Sequence, residues 1–296
     1  MKNTYTILLL ILTLATGAVQ AQGVVQAGNV VSRNISKTIA LQTSDVLSIK
    51  GEKAYIRLTG WDKPHAALKI TFSAEHPDKA VAQAELEYIH YSLSREKNIV
   101  ELQNAFLLPS RIDRIQSRVN VSFELMVPRK ATLSVYNRYG DTEIRDVSGT
   151  LSLNLEFSDL LLDHVSGKIN VRSSYSDIRG QALSPASFTS DDEESKYVLT
   201  LDNGSYRFNS RHSDLDLTLG NIQSLSVNAA HTDITIQPAN YLLYNYQLVS
   251  REGKIFVPRQ LNAVIKENNQ SRFVLTHAPA NPLIDIKTTF NTITLQ

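Results

Sequence analysis

The sequence predicts an all-β protein, a β-solenoid (β-helix-like) whose coil matches the short repeat period, about 18 residues, with one short helix in its N-terminal half. Three observations carry this. A short bend motif recurs at nearly constant spacing, apolar residues alternate ahead of every copy, and the buried face changes parity at the bend.

The chain opens on an address. Lys2 precedes an apolar stretch from Ile7 to Ala15, and Ala18-Val19-Gln20-Ala21 supplies small residues at signal-peptidase spacing, so residues 1–21 read as a secretory signal peptide. A membrane anchor is the weaker reading, because the run falls short of the roughly 20 residues a bilayer needs. After cleavage no transmembrane segment is expected, and the compartment is the periplasm, cell surface or exterior of a Gram-negative bacterium.

Composition narrows the function classes. With 30 Lys and Arg against 29 Asp and Glu, the chain lacks the basic excess of a nucleic-acid binder. The absence of Cys removes disulfide scaffolds, thiolate zinc sites and Cys nucleophiles.

Residues 22–130 read as an irregular β region. Val46–Ile49, Ala54–Leu58, Leu68–Phe72, Ile99–Leu102 and Val119–Val127 have strand character, and Pro77 followed by residues 78–87 predicts a short helix capping an open end. Residues 103–118 read as a loop.

Residues 131–296 carry the repeat, and one continuous structure with the preceding region is the alternative. The motif is an aromatic or His, a small polar residue, Asp, then an apolar residue. Its copies begin at Tyr139, Phe157, Tyr175, His212, His231, Glu252 and Phe290, with Asp141, Asp159, Asp177, Asp214 and Asp233 in the Asp position. Most steps between copies are nearly equal, but two, from Tyr175 to His212 and from Glu252 to Phe290, are about twice as long as the rest. The number of coils in residues 180–211 and 258–284 stays open. Residues 184–196, with Pro185 and Asp191-Asp192-Glu193-Glu194, read as a solvated insertion. Six and four positions upstream of every copy stand apolar residues, for example Leu151 and Leu153, or Ile284 and Ile286. Each unit has one buried face and requires neighbours to cover it.

The chain resembles the bacterial family of exported β-solenoid proteins classed as candidate adhesins, a domain of unknown function common in Bacteroidetes. The resemblance rests on Gly60-Trp61-Asp62, on Val127-Pro128-Arg129 through Tyr139-Gly140-Asp141 and Val147-Ser148-Gly149, and on the repeated bend. It covers most of residues 43–296. It implies a right-handed solenoid at the envelope or surface and supplies no catalytic residues.

Two constellations could carry chemistry. The column Asp141, Asp159, Asp177, Asp214 and Asp233 could hold Ca²⁺, but Asp capping its own bend is the preferred reading. His212 and His231, expected among inward aromatics, could hold a transition metal, but ring packing is preferred. Asp141 with Glu143, or Asp214 with Asp216, invites a glycosidase reading that a flat solvated strand does not support. No catalytic residue, metal or cofactor is assigned.

The function expected is non-enzymatic, adhesin-like binding of a surface glycan or protein through a repetitive β face. A periplasmic envelope-stress or scaffold protein and a polysaccharide-acting β-helix enzyme are the alternatives. Self-association through an open solenoid edge is a further partner route. Exposed aromatics along one face favour binding, whereas two carboxylates facing across a cleft favour catalysis.

Overall fold

The computed structural model describes residues 28–261 and 264–296, so the signal peptide lies outside the described residues. Among the described residues the chain is all-β with one α-helix, Lys79–Leu86, and a single 3-10 turn, Tyr241–Leu243. The helix starts where Asp78 accepts a hydrogen bond from Ala80 N, and it packs on strands Asn29–Ala40 and His65–His76.

Each repeat forms two strands separated by the bend. In the Phe157 row these are Thr150–Glu156 and Asp159–Asp163. Strands before the bend join in one sheet and strands after it in another; we call them the pre-bend and post-bend sheets. Thr150–Glu156 pairs in parallel with Thr132–Arg138 on one side and with Ser166–Ser174 on the other, each offset by one repeat. The post-bend strands follow the same rule, with Asp159 opposite Asp177 and Leu160 opposite Thr142. In-register pairing stacks like on like. Leu133, Leu151 and Ile169 form one buried column, and Leu160 and Ile178 form part of another.

The long step between the Tyr175 and His212 copies holds a full row, not an insertion. Residues Asp177–Glu193 run as one strand, the later part pairing with Ser166–Ser174 and Ser205–Arg211. Lys196–Leu201 then lies between Asp177 and Asp214 in the post-bend sheet. The expectation of a solvated loop over 184–196 fails because Phe188, Ser190 and Asp192 face inward on a continuing alternation.

The ladders also cross the expected boundary at residue 130. Val46–Glu52 pairs in parallel with Thr132–Arg138, and Ala54–Trp61 with Thr142–Arg145. The motifs behind the family resemblance meet here. Trp61 pairs with Pro128, and Arg129 Nε lies 3.0 Å from the Asp62 carboxylate.

Antiparallel strands flank both ends. Ile89–Glu96 covers Ile99–Phe106, while Asn29–Ala40 and His65–His76 extend the post-bend sheet beyond Arg118–Pro128. At the other end the hairpin Ile265–Glu267 and Gln270–Leu275 covers Asn245–Arg251. Spatial order departs from chain order here. Leu283–Thr289 inserts between Ser224–Ala230 and Asn245–Arg251, parallel to both, and Ile293–Leu295 inserts likewise between Asp233–Pro238 and Ile255–Phe256.

Candidate functional site

The bends form one edge of the molecule. Lys53, Tyr139, Phe157, Tyr175, Glu194, His212, His231, Phe290 and Glu252 all adopt left-handed backbone, with φ between 48° and 72°. This conformation turns the side chain out of the core. The bend rings therefore do not point inward, as the sequence suggested; Phe157 is 47% exposed. Their backbone N–H groups donate to the strand end of the adjacent row, as Phe157 N does to Ser174 O at 3.0 Å.

Row spacing brings the rings face to face. Tyr139, Phe157 and Tyr175 stack at 5.1 and 4.8 Å, and His212, His231 and Phe290 stack at 4.7 Å per step. Glu194 separates the two trios and accepts a hydrogen bond from Tyr175 Oη at 3.3 Å. The guanidinium of Arg138 lies 4.8 Å from the Tyr139 ring centroid. The middle rings, Phe157 and His231, thus have both faces occupied, and the ladder presents ring edges.

The small polar position holds the bend. Ser158, Ser176, Ser195, Ser213 and Thr232 are buried, and each hydroxyl donates to the carbonyl two residues back, at 2.8 to 3.1 Å. Each of these hydroxyls beyond Ser158 also accepts from the preceding row, as in Ser195 N to Ser213 Oγ at 3.1 Å. At the Tyr139 row Gly140 takes this place, because a Cβ there would collide with the Ala54 carbonyl. The Asn137 amide donates to Ala54 O and Gly140 O instead.

The Asp column does not cap its own bends. Asp233 accepts from Thr292 N of the next row, and Lys196 interrupts the column between Asp177 and Asp214. Asp159, flanked by Asp141 and Asp177, has its carboxyl pushed up, first by desolvation and then by those neighbouring charges. Among the described residues no three or more His, Cys, Asp or Glu side chains gather as a metal site. Asp216 receives a hydrogen bond from Gln237 Nε2 at 3.1 Å.

In the first rows of the post-bend sheet, charges pair with one another. Tyr55 Oη and Arg57 Nε reach Glu143 at 2.6 and 3.1 Å, and Arg145 pairs with the same carboxylate. These partners hold Glu143 below its ordinary range, the Tyr55 hydrogen bond foremost.

The pre-bend sheet presents two registered polar columns. One runs Ser134, Ser152, Asn170, Thr189, Arg207 and Ser226. The other runs Tyr136, Asn154, Arg172, Asp191, Asn209 and Asn228. Two adjoining recesses of about 580 and 470 Å³ lie along them and share Asn154, Arg172 and Asp191. Asn209 Nδ2 donates to Asp191 Oδ1 at 2.8 Å. Among the described residues Arg172, Arg207 and Arg211 form no ion pair.

Asp191 and Asp192 are consecutive on a strand and point to opposite faces, so they do not oppose one another across a cleft. Asp192 is buried, with one oxygen accepting from Ser190 and Ser210 and the other without a partner. Desolvation pushes its carboxyl up to about 6 against those hydrogen bonds. Of the C-terminal tyrosines, Tyr244 and Tyr246 are buried and Tyr241 is half-buried.

No family model matches the chain, and no curated protein does. Nine chains among solved structures match. A candidate adhesin from Parabacteroides merdae is 8% identical, covers 89% of this chain and 96% of its own, and superposes with a TM-score of 0.47. A candidate adhesin from Parabacteroides distasonis is 11% identical over 89% of this chain and 97% of its own, with a TM-score of 0.45. A candidate lipid-binding protein from the same species is 10% identical over 89% of this chain and 96% of its own, with a TM-score of 0.43.

Proposed function

We propose that this chain is an exported, right-handed β-solenoid of the cell envelope or surface. It binds a glycan or protein there without catalysing a reaction, in the manner of an adhesin. The parallel pairing of the strands in the middle rows with their copies one repeat away supports the winding, and parallel crossovers are overwhelmingly right-handed. The sequence of residues 1–21 supports export.

One observation carries the binding role: in the middle rows of the pre-bend face Arg172 and Arg211, which form no ion pair among the described residues, line one recess with Asn154, Asp191, Asn209 and Asn228. A polar side chain in each successive row suits many weak contacts acting together. A tagged copy in its native host, treated with protease on intact cells, tests the location. Cleavage on intact cells is expected. Cleavage only after lysis would place the protein inside the envelope and remove direct surface binding.

A further inference from the structure

We propose that the recess bounded by Asn154, Arg172, Asp191, Asn209, Arg211 and Asn228 binds a neutral glycan chain lying across the strands of the pre-bend sheet. The proposal rests on the surface-binding reading and names its ligand class and its site.

The chemistry selects a polyhydroxylated ligand. A sugar hydroxyl both donates and accepts, and this recess interleaves both kinds of partner. Arg172 and Arg211 donate, Asp191 accepts, and the Asn amides do both. The hydrogen bond from Asn209 to Asp191 fixes two of these groups before any ligand arrives, which lowers the ordering cost of binding. The neighbouring recess shares three of its residues and continues to Tyr136, the one aromatic side chain in the two columns, so the surface is long enough for several sugar units.

Other ligand classes fit worse. A protein partner needs an apolar or aromatic anchor at the centre of its interface, and the two columns contain no aliphatic side chain. A polyanion would meet Asp191 and Glu193 beside the two arginines, so the recess gives it no net attraction. The middle bend rings, Phe157 and His231, offer no sugar platform, because both their faces are already stacked.

Direction follows from register. Equivalent positions recur once per row, at roughly 4.8 Å across the sheet. A repeating chain laid across the strands meets a hydrogen-bonding side chain in register at each step. Laid along a strand it would leave the polar surface within one row.

Isothermal titration of the full mature chain with neutral β-1,4-glucan, β-1,4-mannan and α-1,4-glucan oligomers of increasing length tests this. At least one series is expected to bind, more tightly as length grows. The double variant Arg172→Ala/Asn209→Ala, shown folded by circular dichroism, is expected to weaken that binding by about tenfold or more. Arg179→Ala/Thr235→Ala on the post-bend face is expected to leave it unchanged. Failure of all series to bind, or undiminished binding by the Arg172/Asn209 variant, would overturn the proposal. Retention of the wild-type chain on cell surfaces separates the two readings. If it is retained and the recess variant is retained equally, surface binding stands and this site falls; if it is not retained, the broader reading falls.

Discussion

Phe157 and Tyr175 stack with ring centroids 4.8 Å apart and planes within 2° of parallel, although they sit in successive repeats of the chain. Both occupy left-handed backbone, which costs a non-glycine residue roughly 1–2 kcal/mol. Stacking at about 0.5–1.5 kcal/mol per pair offsets that cost. Phe157→Ala removes two stacks and keeps the strain, so a loss of about 1–3 kcal/mol is expected. Phe157→Gly removes the stacks and the strain together. Urea unfolding should place Gly at or above Ala in stability, the reverse of the usual order in β-structure.

The buried hydroxyls give a second expectation. Ser195→Ala leaves Ser176 N and Glu193 O without their side-chain partner, a loss of about 1–2 kcal/mol. Ser195→Thr should be nearly neutral, since Thr232 fills the same position in its own row. Equal midpoints for Ala and wild type in chemical denaturation would remove the hydroxyl ladder from the account.

The repeat was legible because alternation at Leu151, Leu153 and Leu155 cannot continue through Leu160 and Leu162 without a bend. Three features escaped. The Glu194 row lacks both the ring and the Asp, so a motif keyed on those residues passed over it. The spacing of Ser176, Ser195 and Ser213 was the available signal, because that buried position and not the Asp holds the bend. The outward direction of the rings was also missed: strand parity describes extended backbone, and the left-handed residue interrupts it. The polar recess arises from register across several rows, which no local pattern displays.

Asp192 makes stability depend on pH. Its folded value of about 6 stands above the 3.8 of an unperturbed Asp, so between these values the folded chain holds a proton that the unfolded chain has lost. Stability from this group is full below about pH 4 and falls as pH rises through about 6, by about 3 kcal/mol in all. Asp192→Asn should flatten that dependence and raise the melting temperature at pH 7. Thermal melts of both proteins from pH 4 to 8 check this, and parallel profiles would contradict it.

The inserted last row makes the end of the molecule cooperative. Removing residues 283–296 strips Ser224–Ala230 and Asn245–Arg251 of their shared partner. Limited proteolysis of that variant should cut within residues 239–282 while the rows up to Arg211 stay protected, because each row depends chiefly on its neighbours. Cuts spread evenly along the chain would show instead that all rows fold as one unit.

The binding role is tested most directly by retention of the labelled mature chain on intact bacterial and host-cell surfaces across a concentration series. Saturable retention, competed by unlabelled protein and reduced by Arg172→Ala/Asn209→Ala but not by Arg179→Ala/Thr235→Ala, is the expected result. Retention that is absent, or that never saturates, would contradict a surface-binding function.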